Sequence, residues 1–532
     1  MNDLVIAPLL VALVTAIATL LVRRLPRLQR AVSVLGGLAY AGAVALLWTE
    51  VDPLGAAETI PYQLSGWVAP YGISLVADPL SAFMLALAAT LSVAALLFSM
   101  GYVDEFGQRL SYHPLYHFMM VGVTGSFLTG DVFNLFVWFE VMLMSSYVLV
   151  VFYSGPEQTR AALQYVVLNL VGSAVMLLAI GGLYATLGTL NMADIARRLA
   201  APAEYGIDSV LPVLGLSALL FAVFALKAGI APFQFWVPAA YRAAPAPVSA
   251  MLAGVVKKVG VYAIIRLYFT VFSAMSISGL GLPGFSDPEG VSSALAFFGP
   301  VLFVMAGASI VVGGVGAVDR DDIDGLLAYS SIGQVGFIVL PLALAATAPA
   351  SDGAFRVAAV AAALVYALNH ALAKGLLFLV SGSVSAAVGT IRFDELGGLT
   401  RENPVLSGAF FVGMLSLIGI PPLSGFFGKF LVFDVAGQAR ATAALAVALL
   451  GAILTIVYFS RAWNRGFWGS PSLAVRNASP ATGVTVGVAL AALVLLVGVG
   501  FDPVYRAAEA AANAALDQQG YVDAVFSGGE QA

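Results

Sequence analysis

The sequence contains no cysteine and carries little charge. Without cysteine, the 532-residue chain cannot form disulfides or bind an iron–sulfur cluster through thiolates, and most structural zinc sites are excluded. The net charge of −5 and the lack of a lysine- or arginine-rich run argue against nucleic acid as a partner. A Walker A loop is missing, because Phe430 follows Gly428-Lys429 where serine or threonine is required. We therefore expect no cofactor and no metal site, and any redox chemistry would belong to another polypeptide.

Apolar residues dominate instead. Hydrophobic residues make up 61% of the chain and charged residues 10%, whereas a soluble domain carries roughly 25% charged residues. Runs of about 20 apolar residues predict an all-α integral membrane protein with about fourteen transmembrane helices. Four arginines (Arg23, Arg24, Arg27 and Arg30) follow the first run, and segment 50–71 has three acids and no base. By the positive-inside rule, both termini are expected outside.

Two parts of the chain resemble each other. The stretch "LNLVGSAVMLLAIGGLYATLGTL" from Leu168 aligns with "LNHALAKGLLFLVSGSVSAAVGTI" from Leu368, and "GIAP" from Gly229 aligns with "GIPP" from Gly419. These alignments place the sixth span on the eleventh and the seventh on the twelfth. Since an offset of five spans is odd, the pattern predicts two inverted five-helix repeats with broken helices 7 and 12, as in transporters. The predicted segments are three N-terminal spans (1–110), a first repeat (111–275), an inverted second repeat (295–466), and a last span with a C-terminal tail (467–532).

The basic residues divide by type. Of the 24, nineteen are arginines in loops or at helix ends, where Arg266 is interpreted as an anchor. All five lysines fall inside apolar spans, at positions 227, 257, 258, 374 and 429. A charge at the membrane centre costs about 2.5–3.5 kcal/mol on insertion scales. Because a desolvated lysine can release its proton and arginine cannot, this division indicates a proton relay.

Further ionisable residues complete the predicted relay. Glu140 lies in the middle of an apolar span, and we expect it to pair with Lys227 as a movable switch. Lys227 and Lys429 lie at the two helix breaks, where water can reach the membrane interior. His370 and Lys374 are four residues apart and share one helix face.

Other polar residues are given structural roles. His113 and His117 share a helix face at a span end, and we interpret them as packing residues rather than metal ligands. Asp78 and Asp131 are predicted helix caps. Lys257 and Lys258 point about 100° apart on a helix, so only one is expected to face a given water path comfortably.

Four motifs resemble one known family. They are "FNLFVWFEVMLMSSYVLV", "ALKAGIAPFQFWVPAAYRAAPAPVSAMLAGVVKKVGVYAIIR", "LNHALAKGLLFLVSGS" and "GIPPLSGFFGKF". In this order they resemble the proton-translocating antiporter-like family, which covers membrane-arm subunits of NADH–quinone oxidoreductases, membrane-bound hydrogenases and Mrp multisubunit cation/proton antiporters. The first motif and "KVGVYAIIR" most resemble the D subunits of Mrp antiporters.

The resemblance implies a function and a set of residues. It places proton transfer on Glu140, Lys227, Lys258, His370, Lys374 and Lys429, with Lys257 as a further candidate beside Lys258. It implies a secondary transporter subunit rather than an enzyme, in a bacterial or archaeal plasma membrane. The implied partners are other Mrp subunits, H⁺, Na⁺ or another monovalent cation, and the lipid bilayer.

Two alternatives stay open at this point. The same fold could serve as the proton-pumping subunit of an NADH–quinone oxidoreductase or hydrogenase, since the transport residues do not separate the two. Alternatively, the buried charges could act only as a scaffold that fixes assembly.

Overall fold

The chain folds almost entirely into helices. The computed structural model describes residues 3–277 and 293–527. Within these ranges, ten helices are long and apolar enough to cross a membrane, or eleven if the pair bent by 80° between Val499 and Phe501 is one span. An all-helical, multi-pass membrane fold is thereby confirmed. The first two residues of the predicted segment 1–110 and the last five of segment 467–532 lie outside the described ranges.

The α-helices are numbered in chain order. They are α1 (Ala7–Leu21), α2 (Pro26–Val51), α3 (Pro79–Tyr102), α4 (Glu105–Gly107), α5 (His113–Leu128), α6 (Val132–Val150), α7 (Pro156–Leu187), α8 (Met192–Ala200), α9 (Leu211–Ala228), α10 (Trp236–Ala243), α11 (Ala246–Met251), α12 (Lys257–Ile264), α13 (Ala294–Val318), α14 (Ile323–Thr347), α15 (Gly353–Val388), α16 (Leu399–Glu402), α17 (Pro404–Ile418), α18 (Ser424–Gln438), α19 (Thr442–Ala462), α20 (Leu473–Arg476), α21 (Val484–Val499), α22 (Phe501–Leu516) and α23 (Gln518–Ser527). Short 3₁₀ or π turns cover Leu64–Gly66, Gln108–Tyr112, Pro202–Tyr205, Leu252–Val256, Ile265–Val271, Phe272–Ala274 and Trp463–Phe467.

A small β-hairpin interrupts the helical fold between α2 and α3. Strand β1 (Ile60–Gln63) pairs antiparallel with β2 (Ser74–Ala77), and Ile60 lies opposite Ala77. The second strand is buried and leads directly into Asp78, which caps α3 in a reciprocal bond pair with Ser81. The predicted cap at Asp78 is confirmed, as is the cap at Asp131, which accepts from the Asn134 amide.

The most buried helices form the centre of the bundle. Every residue in the apolar window of the continuous helical segment 246–274 is buried, and α14 and α15 are nearly as enclosed. By contrast, α2 and the segment 442–467 bury only a third of their most apolar window. Because lipid tails are as apolar as the side chains, such exposed helices are stable in a bilayer. The central helices carry four of the seven candidate proton-transfer residues, namely Lys257, Lys258, His370 and Lys374.

Two helices are interrupted in the same way. The chain leaves α9 at Gly229 with φ +64° and leaves α17 at Gly419 with φ +94°, both in the left-handed region that favours glycine. At Gly229 a Cβ atom would lie 2.6 Å from Val237 Cγ2, so a side chain has no room there. The chain becomes helical again at α10 and α18. The interruptions therefore lie at the predicted "GIAP" and "GIPP" positions.

The C-terminal segment departs from the predicted tail. Beyond α21 the chain turns into α22 and α23, and α22 packs its alanine face against α3 and α15. Tyr521 of α23 lies over the guanidinium of Arg266, 4.9 Å from ring centroid to Cζ. Arg266 is only 2% exposed and bonds Asp78 at 2.5 Å. Arg266 is therefore a buried ion-pair partner, and the prediction of a helix-end anchor is wrong because α22 and α23 cover that end.

Candidate functional site: a chain of buried lysines

Lys227 ends α9 beside the helix break and lies among aromatic residues. Its Nζ donates to the Tyr165 hydroxyl at 3.1 Å, and the rings of Tyr165 and Trp236 lie 5.5 and 5.7 Å from it. Those two rings stack with centroids 4.9 Å apart. The Tyr165 hydroxyl also meets the Ser146 hydroxyl at 3.1 Å. We call these four residues the Lys227 cluster.

Glu140 approaches the Lys227 cluster without joining it directly. Its carboxylate accepts a hydrogen bond from the Ser173 hydroxyl, and it is close enough to attract the Lys227 ammonium. Among the described residues, however, no nitrogen–oxygen distance of 4.0 Å or less joins Glu140 to Lys227. The expected direct pair is therefore an indirect one here, because Ser173 and Tyr165 occupy the nearest polar contacts of the two charges.

A second group, the His370 cluster, lies where α12, α14 and α15 meet. Lys257 Nζ donates to the Ser331 carbonyl at 3.0 Å and meets its hydroxyl at 3.3 Å. The same hydroxyl lies 3.2 Å from His370 Nε2, and His370 Nδ1 bonds Lys258 Nζ. All four residues are buried. The structure thus brings both lysines to one histidine, one directly and one through Ser331.

Both adjacent lysines therefore contact the His370 cluster, while the expectation that only one of them faces a given water path stays a prediction. Their side chains do leave α12 in different directions, as consecutive helical residues must. However, the Ser331 hydroxyl of α14 lies between the Lys257 amine and the His370 ring and connects the two. The long aliphatic stems of lysine allow both amines to reach the same cluster.

The third group, the Lys374 cluster, continues along α14 and α15. Lys374 Nζ donates to the Leu327 carbonyl at 2.9 Å and to the Ser330 hydroxyl at 2.8 Å. Ser330 meets the Tyr458 hydroxyl at 2.7 Å, and Gln334 Nε2 donates to that hydroxyl at 3.0 Å. Tyr366 then donates to the Gln334 carbonyl oxygen. Ser330 and Ser331 are consecutive, so one helix serves two clusters.

Lys429 lies at the far end of this row of buried groups. We call Glu140, His370, the five lysines and the hydroxyl groups that bond them the lysine array. Its Nζ donates at 3.1 Å to the Ile418 carbonyl, which the interruption after α17 leaves free. It also lies 5.1 Å from the Phe337 ring centroid, and that ring stacks on Tyr366. Among the described contacts, an aromatic ring rather than a hydrogen bond separates Lys429 from the Lys374 cluster. Lys429 is thus a neighbour of the Lys374 cluster and is joined to it through stacked rings.

The sequence reasoning missed the hydroxyl groups of the array. The Ser331 hydroxyl connects Lys257 to His370, and the hydroxyls of Ser330, Tyr165 and Tyr458 link Lys374 or Lys227 to further polar side chains. Serine and tyrosine are nevertheless ordinary residues in apolar helices. Their pairing depends on which helices touch, so no local pattern could have identified them. Tyr241 is a further buried hydroxyl of this region: it donates to the Leu252 carbonyl at 3.2 Å, and its ring contacts Trp236.

The other two histidines lie outside the array. His117 Nε2 meets the Ser33 hydroxyl at 2.9 Å, and His113 Nε2 lies 3.3 Å from the Gln108 carbonyl oxygen. Within the described ranges, no group of three or more histidine or acidic side chains could hold a metal ion. The array is thus built from amines, one imidazole, one carboxylate and bridging hydroxyls, which are groups that can accept and donate protons.

Comparison with known proteins gives a consistent assignment. A family model described as "NADH:quinone oxidoreductase/Mrp antiporter, TM" matches residues 129–455. The chain is 33% identical over 529 residues to the D subunit of the Na⁺/H⁺ antiporter of Alkalihalophilus pseudofirmus, covering 99% of this chain and 100% of the relative. It is 36% identical over 482 residues to the N subunit of the NADH-quinone oxidoreductase of Desulforudis audaxviator, covering 90% of this chain and 88% of that relative.

The fold agrees with these sequence matches. A chain in the structure of the Mrp complex from Dietzia sp. superposes with a TM-score of 0.84 at 26% identity, covering 99% of both chains. The family model spans all seven candidate proton-transfer residues, from Glu140 to Lys429. The chain therefore belongs to the membrane-subunit family shared by NADH:quinone oxidoreductases and Mrp antiporters.

Proposed function

We propose that this chain is the proton-conducting subunit of a multisubunit Na⁺(cation)/H⁺ antiporter. The observation that carries the proposal is the row of five buried lysines and one histidine, connected in part by hydroxyl groups across the centre of the bundle. An intramembrane ionisable group is costly, and a row of them has a use when protons must pass. The full-length similarity to the D subunit of an Na⁺/H⁺ antiporter supports the same function.

The proposed proton path follows the three clusters. Protons reach Lys227 or Lys258, cross through His370 and Lys374, and leave by way of Lys429. Ser331 and Ser330 are hydroxyl relays, because a hydroxyl both donates and accepts a hydrogen bond. Glu140 acts as the switch: when its attraction for the Lys227 ammonium weakens, Lys227 releases its proton to the next group.

The finer topology belongs to the same proposal. Fourteen spans, both termini outside and two inverted repeats (111–275 and 295–466) fit a bacterial or archaeal plasma membrane transporter. Matching backbone bonds support the repeat: the Val132 amide donates to the Leu190 carbonyl, and the Ile323 amide donates to the Ile391 carbonyl. Each bond joins the start of one helix, α6 or α14, to the residues just after the helix that follows it, α7 or α15.

The proposal includes partner subunits and an exchanged cation. The other subunits of an Mrp-type complex would surround this chain in the lipid bilayer, and Na⁺ or another monovalent cation would be exchanged for H⁺. In this proposal the chain is a subunit of a secondary active transporter, not an enzyme, and no cofactor is assigned to it.

One alternative has specific support. The 36% identity to the N subunit of an NADH-quinone oxidoreductase is compatible with a proton-pumping subunit of a redox-driven complex. A subunit inventory of the intact complex decides between the two. Small membrane proteins alone support the antiporter, whereas co-purifying flavin and iron–sulfur polypeptides would assign the chain to a redox pump.

Substitutions in the array test conduction directly. In the assembled complex we expect Lys227→Ala and Glu140→Gln each to lower Na⁺-dependent proton exchange by about 100-fold, the scale of a lost proton-transfer group. Exchange is followed as the Na⁺-induced loss of a pH gradient in everted vesicles, and complex abundance is measured in the same membranes. If both variants assembled and exchanged at the native rate, the buried charges would serve only as a scaffold.

A further inference from the structure

A half-buried carboxylate that the proposed path does not use lies beyond Lys374. Asp324 stands in the first turn of α14, and its Oδ1 accepts a 2.5 Å hydrogen bond from the Ser381 hydroxyl of α15. Ser381 itself is 1% exposed. Within the described part of the chain, Asp324 has no basic partner at 4.0 Å or less. The carboxylate is therefore held by a neutral hydroxyl and is not neutralised by an ion pair.

Asp324 lies on the same pair of helices as the two inner clusters. Going along α14 from Asp324, the contacts to α15 are Ser381, then Lys374 through the Leu327 carbonyl and Ser330, and then His370 through Ser331. With a rise of 1.5 Å per residue, Leu327 is about 4.5 Å and Ser330 about 9 Å further along the axis. The row of polar contacts between α14 and α15 thus continues past Lys374 to Asp324.

Exposed charged residues lie near Asp324. Asp322, two residues earlier, caps α14 and bonds the half-exposed Arg242 at 3.3 Å. Nearby, the exposed Asp321 accepts from Arg465 at 2.6 Å, and that bond keeps the pKa of Asp321 below its ordinary value. The charged groups near Asp324 are Asp322 and Arg242, and the Tyr102 hydroxyl of α3 also lies near it. We call this surface the Arg242 end. With the N-terminus outside, the loop of Arg242 follows the seventh predicted span and is therefore expected on the inner side.

We infer that Asp324 is the proton port at the Arg242 end, passing protons between the water at that surface and Lys374. This inference rests on the proposed function, because it extends the conduction path to one face of the membrane. A carboxylate suits the role, since it takes up a proton from water and can release it to an amine one to two turns deeper. Ser381 is the positioning residue that holds the carboxylate toward α15.

Transport by matched variants tests the port. We expect Asp324→Asn to lower Na⁺-dependent proton exchange at least about tenfold in the assembled complex, and Asp324→Glu to keep at least half the native rate. Asp322→Asn is the matched control. It removes the charge of the acid two residues before Asp324 but keeps a side chain that can cap α14, so it should exchange at the native rate. Near-native exchange by Asp324→Asn in a complex that assembles normally would overturn the port while leaving the proposed function intact. Absence of exchange in the native complex would instead overturn the proposed function.

Accessibility gives an independent readout that needs no activity. Because the native chain has no cysteine, Asp324→Cys introduces a single thiol into this subunit, and the native complex provides the labelling background. A membrane-impermeant, water-soluble thiol reagent should modify this cysteine in everted vesicles and not in intact cells. Modification from neither side would show that water does not reach the position, and the port would be overturned. Modification only in intact cells would overturn its assignment to the inner face.

Discussion

At the scale of single residues, the five lysines are held by neutral atoms. Lys227 donates to a tyrosine, Lys257 to a serine, Lys258 to a carbonyl and a histidine, Lys374 to a serine and a carbonyl, and Lys429 to a carbonyl. Among the described residues, none of these amines has an acidic group within 4.0 Å. A neutral acceptor stabilises the ammonium less than a carboxylate does, so the proton stays transferable.

Tyr165 gives a test of this reasoning. We expect Tyr165→Phe to lower exchange about tenfold, because it removes the hydroxyl between Lys227 and Ser146 but keeps the ring that stacks on Trp236. The measurement is Na⁺-dependent proton exchange at equal complex abundance. Tyr147→Phe is the matched control, since the Tyr147 hydroxyl has no hydrogen-bond partner among the described residues and its ring packs 5.1 Å from Tyr165. Equal rates for the two variants would contradict a role for the Tyr165 hydroxyl.

Ser331 gives a second residue-scale prediction. Ser331→Ala removes the hydroxyl that connects Lys257 to His370, and we expect exchange to fall about tenfold or more while the complex assembles. Ser331→Thr keeps a hydroxyl and should retain more activity than the alanine variant. Ser92→Ala serves as control, because within the described ranges the Ser92 hydroxyl bonds only the Ala89 carbonyl of its own helix. A Ser331→Ala complex as active as Ser92→Ala would exclude the serine from the path.

At the scale of helices, α6 and α14 carry different chemistry at the same distance from their caps. Glu140 stands nine residues after the cap Asp131 of α6, as Ser331 stands nine residues after the cap Asp322 of α14. One helix therefore carries a carboxylate where the other carries a bridging hydroxyl. The first arrangement suits a switch that attracts a charge, and the second suits a relay that passes one on.

The interruption after α9 permits a stability prediction. Gly229→Ala must place a Cβ in the left-handed region and 2.6 Å from Val237, so we expect a loss of about 1–2 kcal/mol or more and a lower Tm of the purified complex. Gly215→Ala is the control in the same helix, since no atom of the described part of the chain lies within 4 Å of its Cβ position. A Gly229→Ala complex with an unchanged Tm would mean that the break tolerates a side chain.

At the scale of the whole molecule, a buried ion pair and the ring that covers it join three distant parts of the chain. Asp78 starts α3, Arg266 lies past α12, and Tyr521 of the last helix covers the guanidinium. Both charged side chains are at most 2% exposed. Removing one partner of such a pair leaves an uncompensated charge, whereas removing both does not.

This pair leads to a prediction on assembly. Asp78→Asn should destabilise the fold by about 3–5 kcal/mol and lower both Tm and membrane abundance. The double variant Asp78→Leu with Arg266→Leu should recover part of that loss, because no buried charge is left without its partner. A single variant as stable as the native chain, measured by thermal unfolding of the purified complex, would contradict the structural role of this pair.

The sequence by itself determined the membrane-spanning helical fold, the helix breaks and the identity of the ionisable residues. Apolar runs of sufficient length leave a helix as the only way to satisfy the backbone, and Lys227 or His370 inside such a run is visible as an exception. The caps at Asp78 and Asp131 were also predictable, since capping is a local interaction.

Only the tertiary structure decided which groups meet. The contacts of Lys257 and Lys258 with one histidine, the indirect relation of Glu140 to Lys227 and the burial of Arg266 all depend on which helices pack together. Helix packing depends on side chains far apart in the chain, whereas hydropathy and capping act over a few residues. For that reason the hydroxyl bridges, and the position of Asp324 beyond Lys374, became visible only when α14 and α15 were placed side by side.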